Sequence, residues 1–100
     1  MVIKYSDDFL KEFEDQVIYF KEVEAYEGMF KGQLVNRLYV GIQEIEDFLL
    51  AHPYIKAPDR YGISKLIIDD FKRKISIHYR INGDVIEFLN LFHSSRKPLR

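Results

Sequence analysis

The 100-residue chain contains no cysteine and no tryptophan, and only 3 prolines and 5 glycines. Without cysteine there is no disulfide scaffold, no thiolate metal site and no cysteine nucleophile. The glycines stand singly along the sequence, so no glycine-rich loop is available to cradle a phosphate. His52, His78 and His93 are widely separated and lack metal-binding spacing, and no cofactor motif is present. Ser94 and Ser95 are not set in a nucleophile elbow. Apolar runs extend only a few residues, too short for a membrane span or a signal-peptide core, which leads to the expectation of a cytoplasmic protein with no membrane partner.

What is present suits one small folded domain over 1–100. The chain is 47% hydrophobic and 31% charged, with 8 Phe and 7 Tyr. That is core material enough for a single layer pair and argues against intrinsic disorder. The net charge of -1 hides an asymmetry. Residues 1–55 carry 5 Lys/Arg against 11 Asp/Glu, whereas residues 56–100 carry 10 against 5. An acidic half followed by a basic half is a polarity that partners can read.

Val2–Tyr5 is short and β-prone. Ser6 follows as a candidate N-cap, with Asp7 and Asp8 placed to favour the positive end of a helix dipole. Phe9, Phe13, Val17 and Phe20 then recur at steps of three and four, widened by Leu10 and Val23, and predict an amphipathic helix from Asp7 to about Ala25. After Gly28 a second stripe of Phe30, Leu34, Leu38, Ile42, Ile45 and Leu49 predicts another helix, ended by Pro53. Gly41 inside it suggests a close approach by the first helix. The stretch 51-AHPYIKAPDRYG-62 reads as a connector.

The last third changes period. Leu66, Ile67 and Ile68 form a strand core ending at Asp69-Asp70. Ile75, Ile77, Tyr79 and Ile81 alternate with Lys74, Ser76, His78 and Arg80, which is a strand with one apolar and one polar face. Asn82-Gly83 predicts a two-residue hairpin turn, placing Arg80 near Val85. The returning strand 84-DVIEFLNLFH-93 is apolar on both faces, and the tail 94-SSRKPLR-100 is polar and basic. The expected fold is α+β: an N-terminal strand and an antiparallel helical hairpin packed on a small, largely antiparallel sheet.

The polar residues that carry chemistry are mostly cations. Cleavage of RNA needs a base for the 2′-hydroxyl, cations for the developing phosphorane charge and an acid for the leaving oxygen, all available without a metal. His93 is the first candidate for proton transfer, with Arg80 and Arg96 for charge stabilisation. Lys65, Lys74, His78 and Lys97 are candidates for phosphate binding. Whether His93 shares a face with the polar side of the preceding strand depends on the register of the pair. Tyr79, alternating with Ile77 and Ile81, is read as core.

The segment 66-LIIDDFKRKISIHYRINGDVIEFLNLFHSSRKP-98 resembles the C-terminal portion of the RelE/ParE toxin superfamily. The resemblance rests on 79-YRI-81, a short turn before an alternating strand, and 93-HSSR-96, and the preceding strand–helix–helix order extends it over nearly the whole chain. It implies a toxin of a type II toxin–antitoxin system, held by a cognate antitoxin protein. RelE-like members cleave messenger RNA on the ribosome; ParE-like members inhibit DNA gyrase without enzymatic chemistry. Tyr79 and Arg80 match the family's aromatic–arginine pair, and His93 and Arg96 match the polar residues following the last strand. Three departures stand beside this: the chain is slightly acidic, Asn90 replaces an arginine frequent in ParE-like sequences, and there is no Tyr beyond His93. RNA cleavage, gyrase inhibition and an inactive antitoxin-binding module are therefore the functions implied.

Overall fold

The computed structural model describes residues 1–68 and 74–93. Its elements run β1 (Val2–Tyr5), α1 (Asp7–Tyr26), α2 (Gln33–Ala51), β2 (Ser64–Ile68), β3 (Ile75–Asn82) and β4 (Val85–His93). The fold is α+β. Asp69-Asp70 and the tail from Ser94 onward lie outside the described residues.

Ser6 starts α1 and does two jobs. Its Oγ accepts from the Phe9 N–H at 2.9 Å, capping the helix, and donates to the Leu89 carbonyl at 2.7 Å, tying the helix start to β4. Phe9 and Phe20 are buried as the periodicity predicts, but Leu10 lies off the stripe and is exposed, while Gln16 and Glu24 are buried within it. At the other end, the Gly28 N–H reaches the Ala25 carbonyl and the Met29 N–H reaches the Glu24 carbonyl, a Schellman closure with Gly28 at φ 66°.

Glu24 explains where α2 begins. Its carboxylate accepts from the Gly32, Leu34 and Val35 N–H groups at 2.7, 2.6 and 3.1 Å, so a residue of α1 caps the N-terminus of α2. Burial alone raises the Glu24 pKa, but these three amides outweigh it and hold the carboxyl below its ordinary value. The second helix consequently starts at Gln33, and Phe30, expected in its stripe, stands in the connecting turn with 86% of its surface exposed. The buried stripe is Val35, Leu38, Ile42, Ile45 and Leu49, each contributing about 1.5–3 kcal/mol when fully withdrawn from water. Gly41 lies in the same stripe, and the neighbour it admits is Ile68 of β2, in place of the expected first helix: an added Cβ there would stand 2.8 Å from Ile68 Cγ2.

The strands form one sheet in the order β1-β4-β3-β2. The β2–β3 and β3–β4 pairs are antiparallel, but β1 joins β4 in parallel, with Tyr5 opposite Phe88, so the sheet is mixed. Both helices cover one face, α1 over β4 and α2 beside β2. Ile75, Ile77, Tyr79, Ile86, Phe88 and Leu91 fill the space between. No helix among the described residues is long and apolar enough to cross a membrane.

The hairpin departs from expectation twice. Its loop residues are Gly83 and Asp84, because Asn82 still pairs with Val85. Positive φ falls on Gly83 alone, at 62°, as in a turn that needs glycine only at its first central position. Arg80 therefore faces Glu87, not Val85. Further along, Tyr79 pairs with Phe88 but His78 pairs with Asn90, so Leu89 is an extra, bulged residue. The bulge reverses the alternation. Ile86 and Phe88 point to the helices before it, and Leu91 and His93 do so after it. Its backbone is satisfied from α1: Ser6 Oγ donates to the Leu89 carbonyl, and Glu12 Oε1 accepts from the Leu91 N–H at 3.0 Å and from Asn90 Nδ2 at 3.2 Å.

Candidate functional site on the open face of the sheet

The face away from the helices carries the polar positions of β3. Lys65 of β2, His78 of β3 and Asn90 of β4 form one row across three strands, since His78 is the register partner of both others. The aromatic ring of Phe92 lies 5.2 Å from the His78 imidazole. Arg80 is two residues along from His78 on the same face, and its Nε donates to Glu87 Oε1 at 2.9 Å. A surface pair of this kind is worth about 0–1 kcal/mol, so an incoming phosphate can replace the carboxylate.

His78 is half-buried. Burial holds its pKa below the ordinary 6.5, and the Lys65 charge pushes the same way against Glu12 and Asp59. The neutral imidazole is therefore the prevailing form at pH 7 and can accept a proton. Beside it opens a groove of ≈ 510 Å³ lined by Lys56, Pro58, Asp59, Ile63, Lys65 and His78. The Asp59 carboxylate accepts from the Ile63 and Tyr61 N–H groups at 3.0 and 2.8 Å, and these bonds lower its pKa.

The structure thus brings Lys65, His78 and Arg80 together. Lys74 is exposed immediately ahead of β3. Arg96 and Lys97 lie outside the described residues. His93, the first candidate for proton transfer, is displaced from this group. The Leu89 bulge turns it toward α1, where its ring meets Phe20 at 5.4 Å and Tyr19 at 5.8 Å, and only 8% of its surface remains exposed. Tyr79 is core, as read; burial raises its phenol pKa, and the Ser64 side chain opposite it on β2 works against that rise.

Asn90, Phe92, Lys56 and Asp59 were not foreseen as companions of His78. One signal existed. The buried residues Ile86, Phe88 and Leu91 are spaced by two and then three, and a strand whose apolar positions slip from even to odd carries a bulge.

No model of a known protein family matches the chain. No curated protein matches it either.

Proposed function

We propose that the chain is the toxin component of a type II toxin–antitoxin pair with a RelE/ParE-like fold, and that it cleaves messenger RNA on the ribosome by acid–base chemistry. The observation that carries this reading is the Lys65–His78–Asn90 row with Arg80 beside it, on a sheet face that the helices leave uncovered. Neutral His78 is the base that takes the 2′-hydroxyl proton; as the 2′-oxygen bonds to phosphorus the P–O5′ bond breaks, water protonates the departing 5′-oxygen, and the imidazolium returns its proton to solvent. Lys65 and Arg80 flank it as the cations that steady charge on the phosphorane. Asn90 Nδ2, already turned toward Glu12, helps to fix the edge of this row. His93, enclosed between β4 and α1, serves packing in this scheme. The partners it calls for are a cognate antitoxin that covers the open face, and the ribosome with its message.

The test is induction of the protein without its antitoxin, with primer extension on cellular messages and pulse labelling of protein and DNA synthesis. Native protein is expected to cut messages and stop translation first. His78→Asn is expected to lose about 10²- to 10⁴-fold in cleavage, the usual contribution of a positioned general base. Undiminished cleavage by His78→Asn removes it from the mechanism. Early arrest of DNA synthesis with intact messages replaces this reading by gyrase inhibition.

A further inference from the structure

On the helix side of the sheet, away from the His78 row, a pocket of ≈ 280 Å³ opens between β1, α1 and α2. Four rings line it: Tyr5 of β1, Phe9 and Phe13 of α1, and Tyr39 of α2. They stand as two pairs, Tyr5 stacked with Phe9 at 5.5 Å and Phe13 set edge to face with Tyr39 at 5.3 Å. Phe9 and Ile42 are buried and make the floor. Tyr5 and Tyr39 keep 43% and 54% of their surface exposed, so a small molecule can enter without any movement of the core.

One charge is built into the wall. Glu46 of α2 lines the pocket, half-buried, and its Oε2 accepts from the Tyr5 hydroxyl. That bond fills one of about four lone-pair sites on the carboxylate. Burial and the neighbouring carboxylate push the Tyr5 phenol up to about 12, so it stays a neutral donor. Gln43, also in the lining, donates from Nε2 to Asp47 Oδ1 at 3.1 Å and so sets a second carboxylate at the rim. Among the described residues no lysine or arginine lines the pocket. Both helices belong to the acidic half of the chain, where 5 Lys/Arg stand against 11 Asp/Glu.

We propose that this pocket binds a small organic cation of the alkylated-ammonium class, with its methyl groups against the rings and its charge beside Glu46. Charge selects a cation. An anion would stand against Glu46 with nothing in the lining to neutralise it, and a neutral guest would gain nothing from the carboxylate. The rings select the kind of cation. Aromatic side chains attract positive charge through their faces while burying apolar surface. A primary ammonium carries three donors that each need an acceptor, whereas an alkylated one presents methyl groups and loses nothing against Phe9, Phe13 and Ile42. The site shares no residue with the Lys65–His78–Asn90 row and is independent of the proposed cleavage.

The experiment is an NMR titration of the full chain with three probes. They are choline, its neutral isostere neohexyl alcohol with carbon in place of nitrogen, and ethanolamine, which carries a primary ammonium. Choline is expected to shift the resonances of Tyr5, Leu10 and Tyr39 saturably. It should bind about 2- to 30-fold more tightly than neohexyl alcohol, the range that a ring-held cation gains, and more tightly than ethanolamine. Glu46→Gln keeps an acceptor for the Tyr5 hydroxyl but removes the charge, and should bring choline down to the affinity of the neutral isostere. Tyr39→Ala should weaken choline by a similar factor while Tyr39→Phe retains it. Tyr39 is exposed, so resonances away from the pocket should be unchanged in both variants. Equal affinity for choline and neohexyl alcohol would make this a pocket for neutral guests and overturns the proposal. So does tighter binding of ethanolamine, or native choline affinity in both Glu46→Gln and Tyr39→Ala. Shifts that fail to saturate, or that fall on the His78 face, overturn it as well.

Discussion

Gly41→Ala is a stringent test of how α2 sits on the sheet. In an exposed helix the change gains about 1 kcal/mol, because alanine is the better helix former. At this position the new Cβ would meet Ile68 Cγ2 at 2.8 Å and Cδ1 at 3.2 Å. Comfortable carbon contacts lie at roughly 3.5–4.0 Å. Ile68 is buried and β-branched, so its Cγ2 cannot swing away without leaving its rotamer. Overpacking of this kind costs about 1–3 kcal/mol. The open groove beside Gly41 and Ile68 gives some room for relaxation. Clash and propensity together leave a net destabilisation of about 1 kcal/mol, which for a domain of this size lowers Tm by about 4–8 °C. Urea unfolding of four proteins measures it: native, Gly41→Ala, Ile68→Ala and the double variant. Ile68→Ala alone should cost about 2–5 kcal/mol through the cavity it leaves. In the double variant the new methyl occupies part of that cavity, so the two changes should couple favourably by about 0.5–3 kcal/mol. A more stable Gly41→Ala protein, with strictly additive effects in the double variant, would refute the close approach.

Three other outcomes follow from single side chains. Ser6→Ala removes both the α1 cap and the hydroxyl that serves the Leu89 carbonyl, and should cost about 2 kcal/mol in urea unfolding, against about 1 for an ordinary cap. Gln16→Met replaces a buried amide whose Nε2 has no hydrogen-bond partner, and should raise stability by about 1 kcal/mol; a loss of similar size would mean the amide is satisfied in solution. The folded-state pKa of His78 lies below 6.5 while its unfolded value does not, so the folded protein binds fewer protons there. Its share of stability is therefore present above pH 6.5 and is lost as pH falls through the folded pKa, and the acid limb of cleavage should have its midpoint below 6.5. An NMR titration of His78 with a midpoint above 6.5 would contradict both.

The course of the chain was largely legible from local pattern. Helices and strands announce themselves by period, and Ser6, Phe9, Leu38, Ile42, Ile77 and Tyr79 all fall where that pattern puts them. The misplacements share one cause. Phe30 has helical spacing, yet Glu24, eight residues before Gly32, takes the amides that define the helix start. Asn82-Gly83 is a good turn pair, yet the β3–β4 ladder carries on to Asn82 opposite Val85 and moves the loop by one residue. Gly41 advertises a close approach without naming the neighbour.

The candidate site was half legible for the same reason. Lys65, His78 and Arg80 follow from strand alternation and simple pairing, both of which are written in short stretches of sequence. Their companions Asn90 and Phe92, and the withdrawal of His93, depend on one inserted residue in β4. Periodicity alone determined that this chain makes two amphipathic helices and strands with a cationic face, because side chains within a few residues of one another share a surface by geometry. Which histidine stands on the open face was decided by the Leu89 bulge, held by Ser6 and Glu12 from the far end of the sequence, and a contact between distant residues leaves no local period to read.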